Sequence, residues 1–510
     1  MWLLIPILVY SLIFLYVRHI YSYWRRKGFP HENASLRWSF LRAIYQREFH
    51  YNEAINSYYG VGKERFVGIY CFFRPILMIR DLSLARTLME NQAGHFNDTR
   101  WDYIRSYRKY NLLEKLSPLF ANSRLEAMFR NVEKVSDHLV NKLNSTSGSM
   151  TTAAAASMVA SAADSDYCIV DMQQLLRIYA VNIIANLIYG LDIDVFKQTD
   201  SVFLQYSNNA FQRSGINSYT FSRLPKKSSL TYRLRDIVQQ NVELREDGAT
   251  IRKDVMQLLV KFRNGNDIEV REKFNWHIEN VFEREKVISI KKVARIAEYL
   301  LENGITTIAS TAVFTLYEIL KQPELMEKVR NEIKSAKAIN GVKEKQQQPH
   351  QINYEQLKQM KLLDLCIQET TRKYPSVPTI ERTCRKPYAI PNSKRTLNEG
   401  KSFVIPLLAI QRDGKYFQDP LAYKPQRFLH DSNGNPGEKF TEFGLGAKTC
   451  IAQNFVKLAV KQILVKLFST YQMKLMPMSD FSVCYDDTPY IRSADGLRVG
   501  IKSGKVKFEL

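Results

Sequence analysis

Cys450 stands just ahead of a segment, 451–470, with apolar residues at helical spacing: Ile451, Phe455, Leu458, Ala459 and Ile463. A helix start offers free backbone N–H groups and the positive end of the helix dipole, and both favour a thiolate. Such a sulfur can act as a nucleophile or as a soft ligand to a metal. The residues before it suit a flat ligand. Gly444 and Gly446 let a loop fold tightly with no Cβ in the way. Phe443 can pack on a ring system, and Lys448 offers a cation for a carboxylate. A thiolate that ligates iron pushes electron density onto the metal and favours O–O cleavage. Taken alone, Cys450 reads first as a buried thiol before an ordinary helix. A cysteine-nucleophile hydrolase would need a histidine partner, and nothing marks any of the 8 histidines as one.

Cys450 is not alone. Glu369 and Arg372 are three apart in a helical segment, so they share a face and can pair. By itself such a pair is often only a solvated ion pair. Pro425-Gln426-Arg427-Phe428 follows, and then Phe443-x-x-Gly446-x-Lys448-x-Cys450-x-Ala452. In this order the three segments resemble the Glu-x-x-Arg, Pro-x-Arg-Phe and cysteine-loop motifs of the cytochrome P-450 family. The resemblance extends over nearly the whole chain, to about residue 504. Stretches 66–81 and 254–265 resemble the insect microsomal branch, which handles xenobiotics and small lipophilic molecules.

That resemblance implies a mainly α fold with a smaller β-sheet portion, as a single large domain around a buried haem b. It makes Cys450 the axial ligand of the haem iron, with Phe443, Gly446, Lys448 and Ala452 around the cofactor. Glu369, Arg372 and Arg427 would form a structural ion network. Arg382, ten residues after Arg372, would meet a haem propionate, although it also reads as a plain surface arginine. The implied activity is a monooxygenase. One oxygen atom enters a lipophilic substrate and the other leaves as water, with electrons from NADPH delivered by a flavin reductase at the endoplasmic reticulum membrane.

Several positions depart from the family pattern. Lys448 replaces the usual Arg, keeping the charge but losing the planar fork, and Ala452 replaces Gly. In the long helical segment 288–321, Asn303-Gly304-Ile305-Thr306-Thr307 matches the oxygen-activation motif Ala-Gly-x-Asp/Glu-Thr. Gly304 beside hydroxyls can open a local groove, and the resemblance gives Thr307 the task of hydrogen-bonding reduced oxygen and helping to deliver protons. Its other reading is a buried hydroxyl bonded to its own helix. Thr306 stands where a carboxylate would feed that relay. It is a poorer proton source, so slower or uncoupled turnover is expected. The family's Trp-x-x-x-Arg, which contacts the propionates, is replaced by Lys109 and Leu113. Arg105, Arg108 or Lys109 could supply the lost charge. Two further readings stay open: a divergent haem-thiolate protein with isomerase-like or peroxide-using activity, and a non-catalytic haem-binding protein.

These groups need a scaffold that can bury a cofactor, and a chain of 510 residues with 45% hydrophobic and 24% charged residues is long and apolar enough. At ~1.5 Å per residue, segment 288–321 reaches on the order of 50 Å and could cross a domain of this size. A hairpin is expected at 66–81, helices from 82 to 143, at 172–189, within 223–263, at 354–374 and at 451–470, and strands at 379–408. Residues 144–166, rich in Ser, Thr and Ala, read as a surface insert.

The N-terminal segment 1–17 is apolar and uncharged; Arg18, His19, Tyr21, Tyr23, Trp24, Arg25, Arg26 and Lys27 follow. This predicts a membrane anchor over 1–24, spanning 2–23, with an aromatic interface belt and a catalytic domain, 25–510, on the cytosolic side. A cleaved signal peptide is the alternative, but it lacks a basic n-region and a small-x-small site. A net charge of +22 fits an anionic membrane surface or an acidic partner. With basic residues scattered and no zinc-finger or helix-turn-helix signal, nucleic acid is not expected as a partner. Lys457 and Lys461 fall on the polar side of the last helix, where they suit an acidic reductase or simply face solvent. The 6 cysteines show no close spacing, so a disulfide scaffold is not expected and a reducing compartment is.

Overall fold

A computed structural model describes residues 4–32, 58–60, 62, 64–71, 74–90, 95–98, 115–149, 167–212, 229–269, 274–279, 286–338, 352–429, 443–444, 449–476, 483–484, 492–493 and 496–503. The fold is mainly helical with a smaller β portion. Its axis is the long helix Ile290–Leu320, started by Ser289, whose side chain accepts from the backbone N–H of Lys292. From Leu300 onward this helix is apolar on most sides. It is buried there among Met172–Leu187, Ser229–Glu246, Lys361–Lys373 and Gln453–Thr470. The next helix, Pro323–Ala338, begins with a proline, where a missing N–H costs nothing.

Expected and observed boundaries differ in two places that matter for the site. The segment 354–374 is two helices, Tyr354–Gln359 and Lys361–Lys373, broken at Met360 (ψ 95°). The break is stabilised from outside. The Glu332 carboxylate accepts from the N–H groups of Leu362 at 2.7 Å and Leu363 at 3.0 Å, capping the second helix. The last helix, Gln453–Thr470, starts two residues later than predicted, because Ile451 and Ala452 form a turn in which the Gln453 N–H donates to the Cys450 carbonyl.

The hairpin at 66–81 forms from β1 (Phe66–Cys71) and β2 (Arg74–Ile79), paired antiparallel with Cys71 opposite Arg74. With β3 (Phe96–Asp98), β4 (Ile380–Cys384) and β5 (Ser402–Ile405) they build a five-stranded sheet in the order β1-β2-β5-β4-β3. The β2–β5 pair is parallel and the rest are antiparallel. A second sheet joins Cys168–Asp171, Arg498–Ser503 and Tyr471–Leu475.

At the N-terminus an apolar helix, Leu4–Tyr21, exposes Ile7, Leu8 and Phe14. Among the described residues no helix is long and apolar enough to cross a membrane. This helix lies within the expected span over 2–23 and carries Arg18 and His19 in its last turn. The aromatic belt is corrected at Trp24. That indole is only 1% exposed. Its N–H donates to the Ile69 carbonyl at 3.0 Å, and a Cβ on Gly68 would lie 2.4 Å from its Cγ. Trp24 is thus bound into the sheet-side core, where close approach of β1 requires glycine. The helix Asn122–Ser149 runs into the expected insert; residues 150–166 lie outside the described residues.

Candidate active site

Cys450 is held by the backbone of its own loop. Its N–H donates to the Phe443 carbonyl at 2.7 Å, and Gly444, at φ +78°, takes a left-handed backbone conformation that favours glycine. Cys168, Cys366, Cys384 and Cys450 form no disulfide. Cys366 and Cys384 are buried and Cys168 is half-buried, while Cys450 is exposed. Burial pushes the Cys366 thiol up to about 12 and raises Cys168 and Cys384 as well, so those three stay protonated and inert.

Cys450 opens into a cavity enclosing about 1160 Å³ of empty space, part of it continuous with solvent. One wall is the cysteine loop and the start of the last helix: Phe443, Gly444, Cys450, Ala452 and Phe455. The long helix faces it with Leu300, Asn303, Gly304 and Thr307, and Ile184 and Ile188 complete the apolar side. Arg382, on β4, lines the edge. Its side chain is buried, with one N–H donated to the Glu381 carbonyl at 2.9 Å. Phe120 also lines the cavity and packs its ring 5.4 Å from that of Phe455.

The residues proposed from the long helix separate here. A Cβ on Gly304 would lie 2.6 Å from Cδ1 of Ile184, so glycine permits close approach of two helices at the cavity wall. The Thr307 hydroxyl faces the Ser376 hydroxyl at 3.4 Å, not a carbonyl of its own helix. Thr306 is buried, stands outside the cavity lining, and donates to the Glu302 carbonyl one turn back at 2.9 Å. Ser376 and Phe120 carried no signal in the sequence that would have singled them out. Gly446, Lys448, Lys109 and Leu113 lie outside the described residues.

Glu369, Arg372 and Arg427 form one buried ion network. Arg372 grips the Glu369 carboxylate with two bonds, 2.8 and 2.9 Å, and Arg427 adds a third at 3.1 Å. The guanidiniums donate onward to the carbonyls of Gln411, Gln418 and Pro420, tying the segment that leads toward the cysteine loop to the Lys361–Lys373 helix. Lys461, expected on an exposed face, is corrected. It is buried, paired with Asp364 at 3.1 Å, and it donates to the Met360 carbonyl at the helix break.

A haem presents a flat apolar ring, an iron and two carboxylates. The cavity offers each a partner: aromatic and aliphatic walls, one exposed thiol, and a buried guanidinium at the edge. The residues present fit the group.

The family model for cytochrome P-450 matches residues 64–488. The chain is 46% identical over 515 aligned residues to "Probable cytochrome P-450 310a1" of Drosophila melanogaster, covering 99% of both chains. It is 31% identical over 534 residues to cytochrome P-450 6d3 of Musca domestica, covering 98% of both, and 30% identical to cytochrome P-450 6d1 of the same fly, covering 96% of this chain and 97% of that one. With Cys450 opening into a cavity of mainly apolar walls and a family match over most of the chain, the chain belongs to the cytochrome P-450 family of haem-thiolate monooxygenases, whose haem b is bound through a cysteine thiolate.

Proposed function

We propose that this monooxygenase oxidises small lipophilic molecules (xenobiotics, lipids or hormones), taking electrons from NADPH through a flavin reductase at the cytosolic face of the endoplasmic reticulum membrane. The observation that carries the reading is the cavity wall formed by Phe120, Ile184, Ile188 and Leu300, which offers a substrate dispersion and desolvation rather than charge. The exposed apolar side chains of the N-terminal helix support a membrane location, since water is a poor solvent for them.

Bound haem supplies oxygen activation at its iron. Cys450 would hold the metal as thiolate, Phe443 and Ala452 would pack beside the ring, and Arg382 would meet a propionate. Gly446 and Lys448 would complete the loop around the cofactor. Thr307 would present its hydroxyl to the reacting oxygen, with Gly304 keeping that turn of helix close to the wall. The ion network of Glu369, Arg372 and Arg427 would hold the approach to the cysteine loop. The basic chain suits an acidic reductase. That contact would rest on half-buried Lys457 rather than Lys461.

A second reading draws on Thr306, whose hydroxyl is committed to the helix and is not a carboxylate. It predicts peroxide-driven or isomerase-like turnover. Full-length protein reconstituted with reductase, NADPH and a panel of alkoxycoumarin probes separates the two. Product in step with NADPH oxidation supports the monooxygenase. Product from added peroxide alone, with none from NADPH, supports the second reading. No product by either route points to a non-catalytic haem protein.

A further inference from the structure

Thr307 and Ser376 approach each other from different segments, and both line the cavity. Their hydroxyl oxygens are 3.4 Å apart, and either can donate. Neighbouring hydroxyls on the long helix are used internally. Thr306 donates to the Glu302 carbonyl at 2.9 Å, and Ser310 donates to the Thr306 carbonyl at 2.7 Å. In this turn, Thr307 is the hydroxyl directed at a side chain from outside the helix.

The segment carrying Ser376 is fastened to the same long helix. The ring of Tyr374 stacks on Phe314 with centroids 4.3 Å apart and planes 13° from parallel. Its hydroxyl donates to the Glu318 carboxylate, which Lys373 also grips at 2.7 Å. Pro375 and Pro378 bracket Ser376, and each fixes its own φ. Ser376 is buried as well. The long helix thus holds both ends of the Thr307–Ser376 contact and keeps the two hydroxyls in register.

We propose that Ser376 is a positioning residue for oxygen chemistry: its hydroxyl donates to Thr307 Oγ1 and so turns the Thr307 proton into the cavity. No bond forms or breaks at Ser376, and the proton stays on its oxygen. The arrangement supplies an orientation that position 306 cannot, since Thr306 points into its own helix. The proposal rests on the haem-thiolate reading of this cavity.

The test is the C–O stretching frequency of the carbon-monoxide complex of the reduced full-length holoprotein, which responds to hydrogen-bond donors near the bound gas. Ser376→Ala is expected to shift the band in the same direction as Thr307→Ala, and the double variant no further than Thr307→Ala alone. Ser376→Thr, which keeps a hydroxyl, is expected to restore the original band. Product formed per NADPH should fall about fivefold in Ser376→Ala, the factor of one ordinary hydrogen bond. A band unmoved by Ser376→Ala, or a shift that persists in full on the Thr307→Ala background, overturns the proposal. A wild-type protein that forms no carbon-monoxide complex at all overturns the haem reading instead, a failure visible before any variant is made.

Discussion

Gly304 and Ile184 touch across the cavity wall: a Cβ on the glycine would lie 2.6 Å from the isoleucine's Cδ1. Two helices meet there with no side chain between them, beside the Thr307 hydroxyl.

Gly304→Ala should therefore push the Ile184 terminal methyl toward the cavity it lines. Overpacking a well-filled core usually costs ~1–3 kcal/mol, and a mobile methyl places this case near the lower end. The urea midpoint of the holoprotein should fall accordingly, and bulky lipophilic ligands should bind more weakly. Adding Ile184→Val should recover both. Unchanged affinity for large ligands would show that this contact does not shape the cavity.

Gly68→Ala is expected to cost more. The atoms a methyl would meet, at 2.4 to 2.6 Å, belong to the rigid indole of Trp24, which is buried and hydrogen-bonded to the Ile69 carbonyl. A loss of about 3 kcal/mol is expected, with a red-shifted tryptophan emission as the packing opens. Chemical unfolding of the holoprotein measures the first, and a variant as stable as the parent would show that Trp24 is free to move.

Glu369→Gln leaves the buried Arg372 and the half-buried Arg427 facing an uncharged amide. Removing one partner of a buried pair costs ~3–5 kcal/mol. The segment from Gln411 to Arg427 should loosen, since Arg372 and Arg427 hold its carbonyls. Limited proteolysis should cut there faster than in the parent protein. Equal cleavage rates and equal stability would remove the network from any structural role.

Lys461 gives a prediction in pH. Burial lowers its affinity for a proton, and the nearby Asp364 only partly offsets this. The unfolded chain then binds more protons than the folded one between the lowered folded value and the ordinary lysine value, so stability rises with pH across that alkaline window. Lys461→Met should flatten this rise and leave reductase affinity unchanged. A stability–pH curve that keeps its slope in the variant would place the alkaline gain elsewhere.

The parts of the site legible in the sequence are those set by spacing along the backbone. Glu369 and Arg372 share a helix face by their separation alone, and the glycine expected to let the cysteine loop fold tightly stands at Gly444 with a left-handed φ. The parts not legible depend on a second segment. Periodicity placed Lys461 on a polar face, but the Met360 carbonyl and Asp364 close over it from another helix. The break at Met360 was hidden because its cap, Glu332, comes from a distant helix. Thr306 and Thr307 are adjacent hydroxyls of one type, and only the packing around each decides that one bonds the helix and the other faces Ser376.

The central claim, that Cys450 is the iron ligand of a bound haem, is tested most directly by the carbon-monoxide difference spectrum of the reduced full-length protein. The wild type should give the red-shifted Soret band of a thiolate-ligated haem, and Cys450→Ala should lose it. A wild type without that band, or a Cys450→Ala protein that keeps it, would contradict the assignment.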